Sequence, residues 1–340
     1  MKFGPVPVAE AQGAILAHSV QAGAQKIRKG VWLKAEHVAM LQAAGLSEVI
    51  VARLDEGDLH EDVAADRLAA ALVPDAEVAG VTLSKAFTGR VNIKADGPGV
   101  VAMDVEALKA FNDINPMITL ATVPEWQQVA AGNMLGTVKV ISYAVPEADV
   151  DRACEVARDA LRLRPVTVKD ASLIITEISG GVGDKGRDAI EGRLAALGMD
   201  LVECVRVPHE TGALAEAIEA ARGQMVLILT GSATSDPYDV APEAVRQAGG
   251  KVERFGMPVD PGNLLFIGDL SGRPMIGLPG CARSPALNGA DWVLSRVACG
   301  LDVSGADIAA MGVGGLLKEI PTRPMPRERS RRKIAQPPEA

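Results

Sequence analysis

The sequence predicts a mixed α/β protein: a C-terminal three-layer α/β domain with a mostly parallel sheet, preceded by smaller α+β and β-rich regions. Two observations support this fold class. From about residue 171, short apolar runs alternate with amphipathic helical patterns, which is typical of parallel strands covered on both faces. Between residues 76 and 147, segments of alternating apolar and polar residues, with Gly and Asp at the turns, favour strands.

The 340 residues divide into four stretches, and each boundary follows a change in pattern. The stretches are an N-terminal α/β region (1–75), a β-rich α+β region (76–147), an α/β domain (148–305) and a flexible tail (306–340). The first, from Val6, has the pattern helix, strand, helix, strand, helix. The second contains the helix "DVEALKAFNDI", capped by Asp104. "PEADVDRACEVARDALRL" is predicted to be a helix that links it to the third stretch.

The third stretch has the strictest alternation of strands and helices. Its strands are "SLIIT", "DLVECVRV" and "MVLILT", and "LLFIGDL" and "RPMIGLP" form a hairpin around Ser271 and Gly272. Its helices are "RDAIEGRLAALG", "ETGALAEAIEAAR", "DVAPEAVRQAG" and the closing "SPALNGADWVLSRVACG". The tail is rich in Pro, Arg and Glu and lacks apolar periodicity, which predicts disorder.

Composition and charge predict a soluble cytoplasmic protein with no membrane or nucleic-acid partner. The net charge of −8 does not suit a nucleic-acid binder. No apolar run reaches the roughly 18–20 residues that span a membrane, and the first residues lack the layout of a signal peptide. The four cysteines form no CxxC pair, which argues against a zinc or disulfide framework and favours a reducing compartment. No two histidines have metal-ligand spacing.

Three loops at predicted strand ends form the candidate site, because ligands of parallel sheets bind beyond the carboxyl ends of the strands. The first loop, "TEISGGVGDKGRD", offers Gly180, Gly181 and Asp184. Residues 181–186 also match GxGxxG, and Glu203, near the predicted end of the next strand, stands where a dinucleotide site requires an acid. A loop that only caps a helix, a ligand lid and a dinucleotide site are all open interpretations.

The second loop combines small side chains with many hydrogen-bonding groups. Such loops bind phosphate through backbone N–H groups and hydroxyls, and the candidate ligands are Thr230, Gly231, Ser232, Ala233, Thr234 and Ser235. Asp236 and Asp239 follow. Carboxylates beside a phosphate repel it unless a divalent cation lies between them, which predicts Mg²⁺. The alternative is that both aspartates only cap the next helix.

The third loop, "GLPGCARS", returns from the hairpin to the closing helix. Pro279 and Gly280 form a turn, and Ser284 is placed near the start of the helix, so that a helix N-terminus faces the site. Cys281 is expected to pack or to contact substrate, since no histidine partner is visible nearby in the sequence.

Residues 173–300 resemble the molybdopterin-binding domain shared by molybdopterin adenylyltransferases and molybdopterin molybdenumtransferases. "TGSATSDPYDV" is similar to the family's Gly-Gly loop followed by an aspartate, with Asp239 in that place. "GNLLFIGDLSGRPMIGLPGCARS" is similar to the molybdenumtransferase segment from a Pro-Gly-Lys-Pro loop to Leu-Pro-Gly-Asn-Pro-Val-Ser. The segment from "GLPGCARS" to "LLKEIPTRP" also resembles bacterial proteins in which this domain is fused to a molybdenum cofactor cytidylyltransferase.

The sequence departs from the molybdenumtransferases at named positions. The N-terminal Pro-Phe-x-x-Ser-Ala-Met-Asp-Gly-Tyr-Ala motif is missing. Asp260 and Asn263 stand where the family has lysines, and this exchange weakens the attraction for molybdate and phosphate. The pterin pocket is therefore expected to be kept while the metal-insertion chemistry is changed.

Three functions remain open. The resemblance implies a molybdopterin-binding enzyme of molybdenum cofactor biosynthesis, in which Asp239 and Asp236 hold Mg²⁺ and molybdenum is inserted with release of AMP. It also allows a non-catalytic molybdopterin carrier or sensor that serves a cytidylyltransferase, or a partner that is itself a molybdoenzyme. The GxGxxG match leaves a dinucleotide-dependent oxidoreductase as the third possible function. Relatives form dimers, so the resemblance also implies a homodimer.

Overall fold

The computed structural model describes residues 1–180 and 186–317. The helices are α1 (Ala35–Ala43), α2 (Glu61–Leu72), α3 (Val105–Ile114), α4 (Glu147–Val156), α5 (Arg187–Ala196), α6 (Thr211–Ala220), α7 (Val240–Gln247), α8 (Gly289–Ala298) and α9 (Gly305–Ala310). The strands are β1 (Lys2–Pro7), β2 (Ile15–Leu16), β3 (Val20–Ala22), β4 (Gln25–Ile27), β5 (Glu48–Arg53), β6 (Asp58–His60), β7 (Val81–Leu83), β8 (Arg90–Ala95), β9 (Gly99–Met103), β10 (Ile118–Thr122), β11 (Gln128–Val129), β12 (Met134–Val140), β13 (Ala144–Pro146), β14 (Leu161–Pro165), β15 (Asp170–Glu177), β16 (Asp200–Pro208), β17 (Met225–Leu229), β18 (Lys251–Phe255), β19 (Phe266–Leu270) and β20 (Arg273–Leu278).

The N-terminal region is a small α/β unit with its own core. Strands β1, β5 and β2 form an antiparallel sheet, β3 and β4 form a hairpin, and Leu16, Leu33 and Leu41 are buried between these strands and α1. The predicted first helix is wrong: residues 2–7 form β1, followed by a single 3₁₀ turn. The prolines at positions 5 and 7 disfavour helical backbone, and pairing with β5 satisfies the strand.

The middle region is built from two antiparallel sheets, ordered β10-β12-β8-β7 and β11-β9-β14. Helix α2 packs with this region, because Leu68 and Leu72 belong to its core. The predicted linking helix ends early, at Val156. Leu161 and Leu163 are buried on alternate positions of β14, which pairs with β9, so the last residues of that segment have the period of a strand.

The C-terminal domain has the predicted three-layer architecture. Its six-stranded sheet has the order β16-β15-β17-β20-β19-β18, in which the first four strands are parallel and β19 runs antiparallel to both neighbours. Helices α5, α8 and α9 bury apolar residues on one face, and α6 and α7 do so on the other. The fold class is therefore confirmed, with β18 as an additional edge strand that the sequence did not predict.

The packed part of the chain extends beyond the predicted start of the tail. Ile308 in α9 and the following Met311 are buried in the domain core, and the Leu317 N–H donates to the Asp260 carbonyl at 2.8 Å. Residues 306–317 therefore belong to the domain, and the rest of the predicted tail lies outside the described residues. Within the two described ranges, no helix has the length and apolar character needed to cross a membrane.

Candidate functional site

The site lies where the four parallel strands end together. Ile175 pairs with Leu229, and Leu229 pairs with Leu278, so the loops after β15, β17 and β20 leave the sheet side by side. The last apolar residues of these strands are buried, and only β15 ends in polar side chains, the buried Thr176 and the exposed Glu177. A polar ligand at this edge therefore meets mainly loop residues, as the position of ligands in parallel sheets predicts.

The loop after β17 is folded around its own hydroxyl groups. The buried Thr230 hydroxyl donates to the Ser232 carbonyl at 2.6 Å and lies 3.3 Å from the Thr234 hydroxyl. Ser232, Ala233 and Ser235 are exposed. The two threonines thus hold the loop together from inside, while the two serines are exposed to solvent.

Gly231 is required where this loop crosses the loop after β15. An added Cβ would lie 2.6 Å from the Thr176 carbonyl oxygen and 3.2 Å from the Ile178 nitrogen. The Gly231 N–H donates to the Thr176 hydroxyl at 2.9 Å, and that hydroxyl lies 2.8 Å from His209 Nδ1. His209 follows β16 and thus joins the site edge, a position that the sequence interpretation did not assign to it.

The two aspartates organise the start of α7. Asp239 is the N-cap: its Oδ1 accepts from the Val240 N–H at 2.7 Å and its Oδ2 from the Ser235 N–H at 3.0 Å. Asp236 Oδ1 accepts from the Tyr238 N–H at 2.8 Å. The described residues contain no group of three side chains suited to a metal ion. The geometry therefore shows that Asp239 caps α7. To hold Mg²⁺ as well, the site would need further ligand atoms.

The loop after β20 differs from its predicted form. Pro279 is buried, Gly280–Arg283 form a short 3₁₀ turn, and Cys281 is on the exposed side. Helix α8 begins at Gly289, and Ser284 is not near its start. The N-cap is Asn288, which forms a capping box with Asp291 and is a complete local signal for the helix start. The predicted placement of Ser284 at a helix N-terminus is therefore wrong.

Arg193 of α5 holds this loop in place. Its guanidinium donates to Asp291 Oδ1 at 2.6 Å and to the carbonyls of Ala282, Ser284 and Ala286 at 2.8–3.0 Å. The side chain is only 9% exposed. Its charge is neutralised by Asp291 and its N–H groups are satisfied by carbonyls, so Arg193 is a structural group.

Arg283 is a second arginine at the site, and the sequence analysis did not predict a role for it. It stands where the family motif has valine. Its Nη2 donates to the Thr230 carbonyl at 2.7 Å, and its Nε is buried without a hydrogen-bond partner. Burial lowers the pKa of the Arg283 guanidinium. The side chain thus links the loops after β17 and β20.

The loop after β15 is described only in part. Gly180 is exposed with φ +73°, whereas Gly181 and Asp184 lie outside the described residues. Gly186 packs on Arg283: an added Cβ would lie 2.7 Å from its Cγ. Three loops therefore meet at Arg283.

The acid predicted for a dinucleotide site lies at the wrong edge. Glu203 pairs with Ser172 near the start of both strands, since β16 continues to Pro208. Its Oε1 accepts from the Ser172 hydroxyl at 2.5 Å and from the Arg222 N–H at 2.7 Å. A carboxylate at the amino edge does not reach a ligand at the carboxyl edge, so Glu203 gives no support to the dinucleotide interpretation.

The two positions that replace lysines lie in a loop that contacts the start of α8. The Gly289 N–H, at the start of α8, donates to the carbonyl of Pro261, which lies between Asp260 and Asn263. Asn263 Nδ2 donates to the Met257 carbonyl at 3.2 Å, so the amide is used within the loop.

Comparison with known proteins agrees with the predicted resemblance. Residues 166–296 match the family described as "Probable molybdopterin binding domain", which confirms the resemblance for the C-terminal domain. Residues 5–53 match a family described as a domain of unknown function, DUF8806. No curated protein matches the chain.

Two solved structures are similar to this chain, although both superimpose on it with low TM-scores. One is a molybdopterin biosynthesis MoeA protein from Pyrococcus horikosii, with 13% identity, a TM-score of 0.32, and coverage of 88% of this chain and 75% of that one. The other is a molybdopterin biosynthesis protein from Mycobacterium abscessus, with 15% identity, a TM-score of 0.28, and coverage of 39% of this chain and 94% of that one. The family match is therefore the comparison that bears on function.

Proposed function

We propose that this chain binds molybdopterin, or its nucleotide form, at the carboxyl edge of the C-terminal sheet during molybdenum cofactor biosynthesis. One observation carries the proposal: the family match at 166–296 spans the three small-residue loops that end neighbouring parallel strands. The ligand phosphate lies on the loop Thr230–Ser235, where the exposed groups are small. The turn Pro279–Ser284 and Gly180, in the loop after β15, border the remainder of the ligand.

Magnesium fits this site only together with the ligand. Both carboxylate oxygens of Asp239 already accept backbone N–H groups. Mg²⁺ commonly takes one or two protein carboxylates and completes its shell with waters and phosphate oxygens. Asp236 and Asp239 would hold it in this way, and the bound ion would supply positive charge between carboxylates and phosphate.

Two activities follow from the same pocket. Molybdenum insertion with AMP release is the first, supported by two aspartates beside the phosphate loop. A non-catalytic carrier or sensor is the second, favoured by Asp260 and Asn263 in place of lysines and by the Asn263 amide bonded to Met257. A cytidylyltransferase partner and a homodimer, both implied by the resemblance, stay predictions.

The test is a titration with purified molybdopterin, with and without Mg²⁺. Asp239→Asn is the informative variant, because asparagine keeps one acceptor oxygen for the helix cap while the negative charge and the second acceptor are lost. Asp104→Asn is the matched control: Asp104 caps α3 through the Ala107 N–H at 3.0 Å and lies in the middle region. Release of AMP from adenylylated molybdopterin with molybdate is then measured on the same samples.

We expect wild type and Asp104→Asn to bind molybdopterin at micromolar concentration or below. Binding by Asp239→Asn is expected to lose its dependence on Mg²⁺. AMP release that disappears in Asp239→Asn supports the enzyme, and binding without release supports the carrier. If the wild type does not bind molybdopterin, the proposed function is wrong.

A further inference from the structure

Arg283 is a partly buried cation that has no neutralising partner among the described residues. Within residues 1–180 and 186–317, no carboxylate lies within ion-pair distance of its guanidinium. Its Nε–H is buried and bonded to none of these residues. Arginine keeps its charge in proteins, and a buried charge with unsatisfied donors is costly unless an anion accompanies it.

Two other arginines of the domain show what a purely structural role looks like. Arg193 is paired with Asp291 and bonded to loop carbonyls. Arg273 donates through Nη1 and Nη2 to the carbonyls of Ala221 and Ile218, at the C-terminal end of α6. Arg283 differs from both, because its one hydrogen bond to the described part of the chain, through Nη2 to Thr230, leaves the Nε–H without an acceptor there.

The position of Arg283 fits a ligand-binding role. It bridges the loop after β20 to the Thr230 carbonyl, and Gly186 leaves room for it where any Cβ would clash at 2.7 Å. The surrounding loops supply small exposed residues, while Asp236 and Asp239 supply only negative charge. Since the lysines of the related loop are replaced by Asp260 and Asn263, Arg283 offers positive charge beside the loop Thr230–Ser235. Arg246, which donates to the Pro237 carbonyl, is already paired with Glu243.

We propose that Arg283 binds a tetrahedral oxyanion at the meeting point of the three loops, either the phosphate group of the ligand or free molybdate. The inference rests on the proposed function for the identity of these anions. A guanidinium presents parallel N–H donors that match two oxygens of such an anion. Arg283 is thus a binding residue that this chain has gained at a site where other positive charges are lost.

The experiment is a calorimetric titration of the full chain with inorganic phosphate and, separately, with molybdate. Arg283→Met removes the charge and keeps the aliphatic length, and Arg283→Lys keeps the charge without the fork of donors. Arg273→Met is the matched control, because it removes a carbonyl-bonded arginine that lies outside the site. Circular dichroism and thermal unfolding show that each variant is folded.

We expect Arg283→Met to weaken binding of at least one anion roughly tenfold or more, the loss that removal of a charged hydrogen bond causes. Arg283→Lys should recover part of the affinity, and Arg273→Met should match the wild type. Tighter phosphate binding identifies the ligand phosphate as the natural anion, and tighter molybdate binding identifies the metal oxyanion. Equal binding by wild type and Arg283→Met, or no binding of either anion by the wild type, overturns the inference.

A parallel molybdopterin titration separates this inference from the proposed function. If phosphate or molybdate binding depends on Arg283 but molybdopterin does not bind, the oxyanion site stands and the proposed function fails. If molybdopterin binds wild type and Arg283→Met equally, and phosphate and molybdate binding are also unchanged, the proposed function stands and Arg283 is a structural residue.

Discussion

Glu203 is stabilised in its charged form at the amino edge of the C-terminal sheet. The Ser172 hydroxyl, followed by the Arg222 backbone N–H, holds the pKa of this carboxyl below its usual value. A depressed pKa contributes stability above the pKa of the unfolded state, about 4.3 for glutamate, and this contribution is lost as the pH falls through the folded-state pKa. Glu203 is therefore a source of acid sensitivity.

Replacing Glu203 by glutamine should lower the free energy of unfolding at pH 7 by about 1–3 kcal/mol, the usual range for hydrogen bonds to a charged group. Because the wild type loses the same contribution in acid, the difference in unfolding free energy between the two proteins should become smaller below about pH 4. Urea unfolding at pH 7 and pH 3.5 measures both values. Glu216→Gln, at an exposed position on α6, is the control. A gap that does not change with pH would contradict the assigned role.

Gly231→Ala should be costly despite the small change. The added Cβ meets backbone atoms of Thr176 and Ile178, which have no rotamer by which to escape. We expect a loss of about 1–3 kcal/mol in unfolding free energy, with weaker anion binding. Gly192→Ala is the control: Gly192 lies in α5 with no atom within 4 Å of the added Cβ, so it should gain stability. Equal stability of the two variants would contradict the close crossing of the loops.

At the level of secondary-structure elements, local patterns predicted much of the C-terminal domain, and long-range contacts explain the rest. The apolar runs of β15 and β17 fix their burial, and the hairpin of β19 and β20 follows from Ser271 and Gly272. The start of α8 was missed although Asn288 and Asp291 form a recognisable capping box. The roles of Arg193 and Arg283 had no local signal, because each depends on a loop distant in sequence.

Helix α5 and the loop after β20 should separate when Arg193 is replaced. In Arg193→Met, Asp291 keeps a buried charge and three loop carbonyls lose their donor, so we expect a loss of about 3–5 kcal/mol, the range for breaking a buried ion pair. Hydrogen exchange should rise within residues 280–291 first. Arg162→Met, which removes an exposed pair with Asp159, should cost about 1 kcal/mol or less. Unchanged protection of the loop would contradict this role.

For the whole molecule, the hydrophobic cores do not coincide with the regions predicted from the sequence. No pattern along the chain separates α2 from the strands before it, yet its Leu68 and Leu72 pack in the core of the middle region. The first core, with Leu16, Leu33 and Leu41, is a separate and smaller cluster. Such a boundary depends on which core an amphipathic face meets, and a helical pattern alone does not specify its partner.

This separation predicts that the N-terminal region opens before the rest of the molecule. A unit of about fifty residues buries a smaller fraction of its surface than a larger domain, and is correspondingly less stable. It is joined to the middle region by the pairing of β6 with β13 and by the Tyr143 hydroxyl, which donates to the Ala17 carbonyl at 2.7 Å. Hydrogen exchange at increasing urea should therefore show a lower opening free energy for residues 48–53 than for residues 225–229.

Tyr143→Phe tests the coupling, since it removes only the hydroxyl. We expect protection of residues 48–53 to fall by about 1 kcal/mol, the value of one hydrogen bond, while residues 225–229 are unaffected. Tyr238→Phe, at a side chain that is 77% exposed, should change neither segment. If both segments exchange with one opening free energy, and Tyr143→Phe lowers it for both, the chain unfolds as a single unit. The N-terminal core would then be stabilised by the middle region more strongly than its contacts indicate.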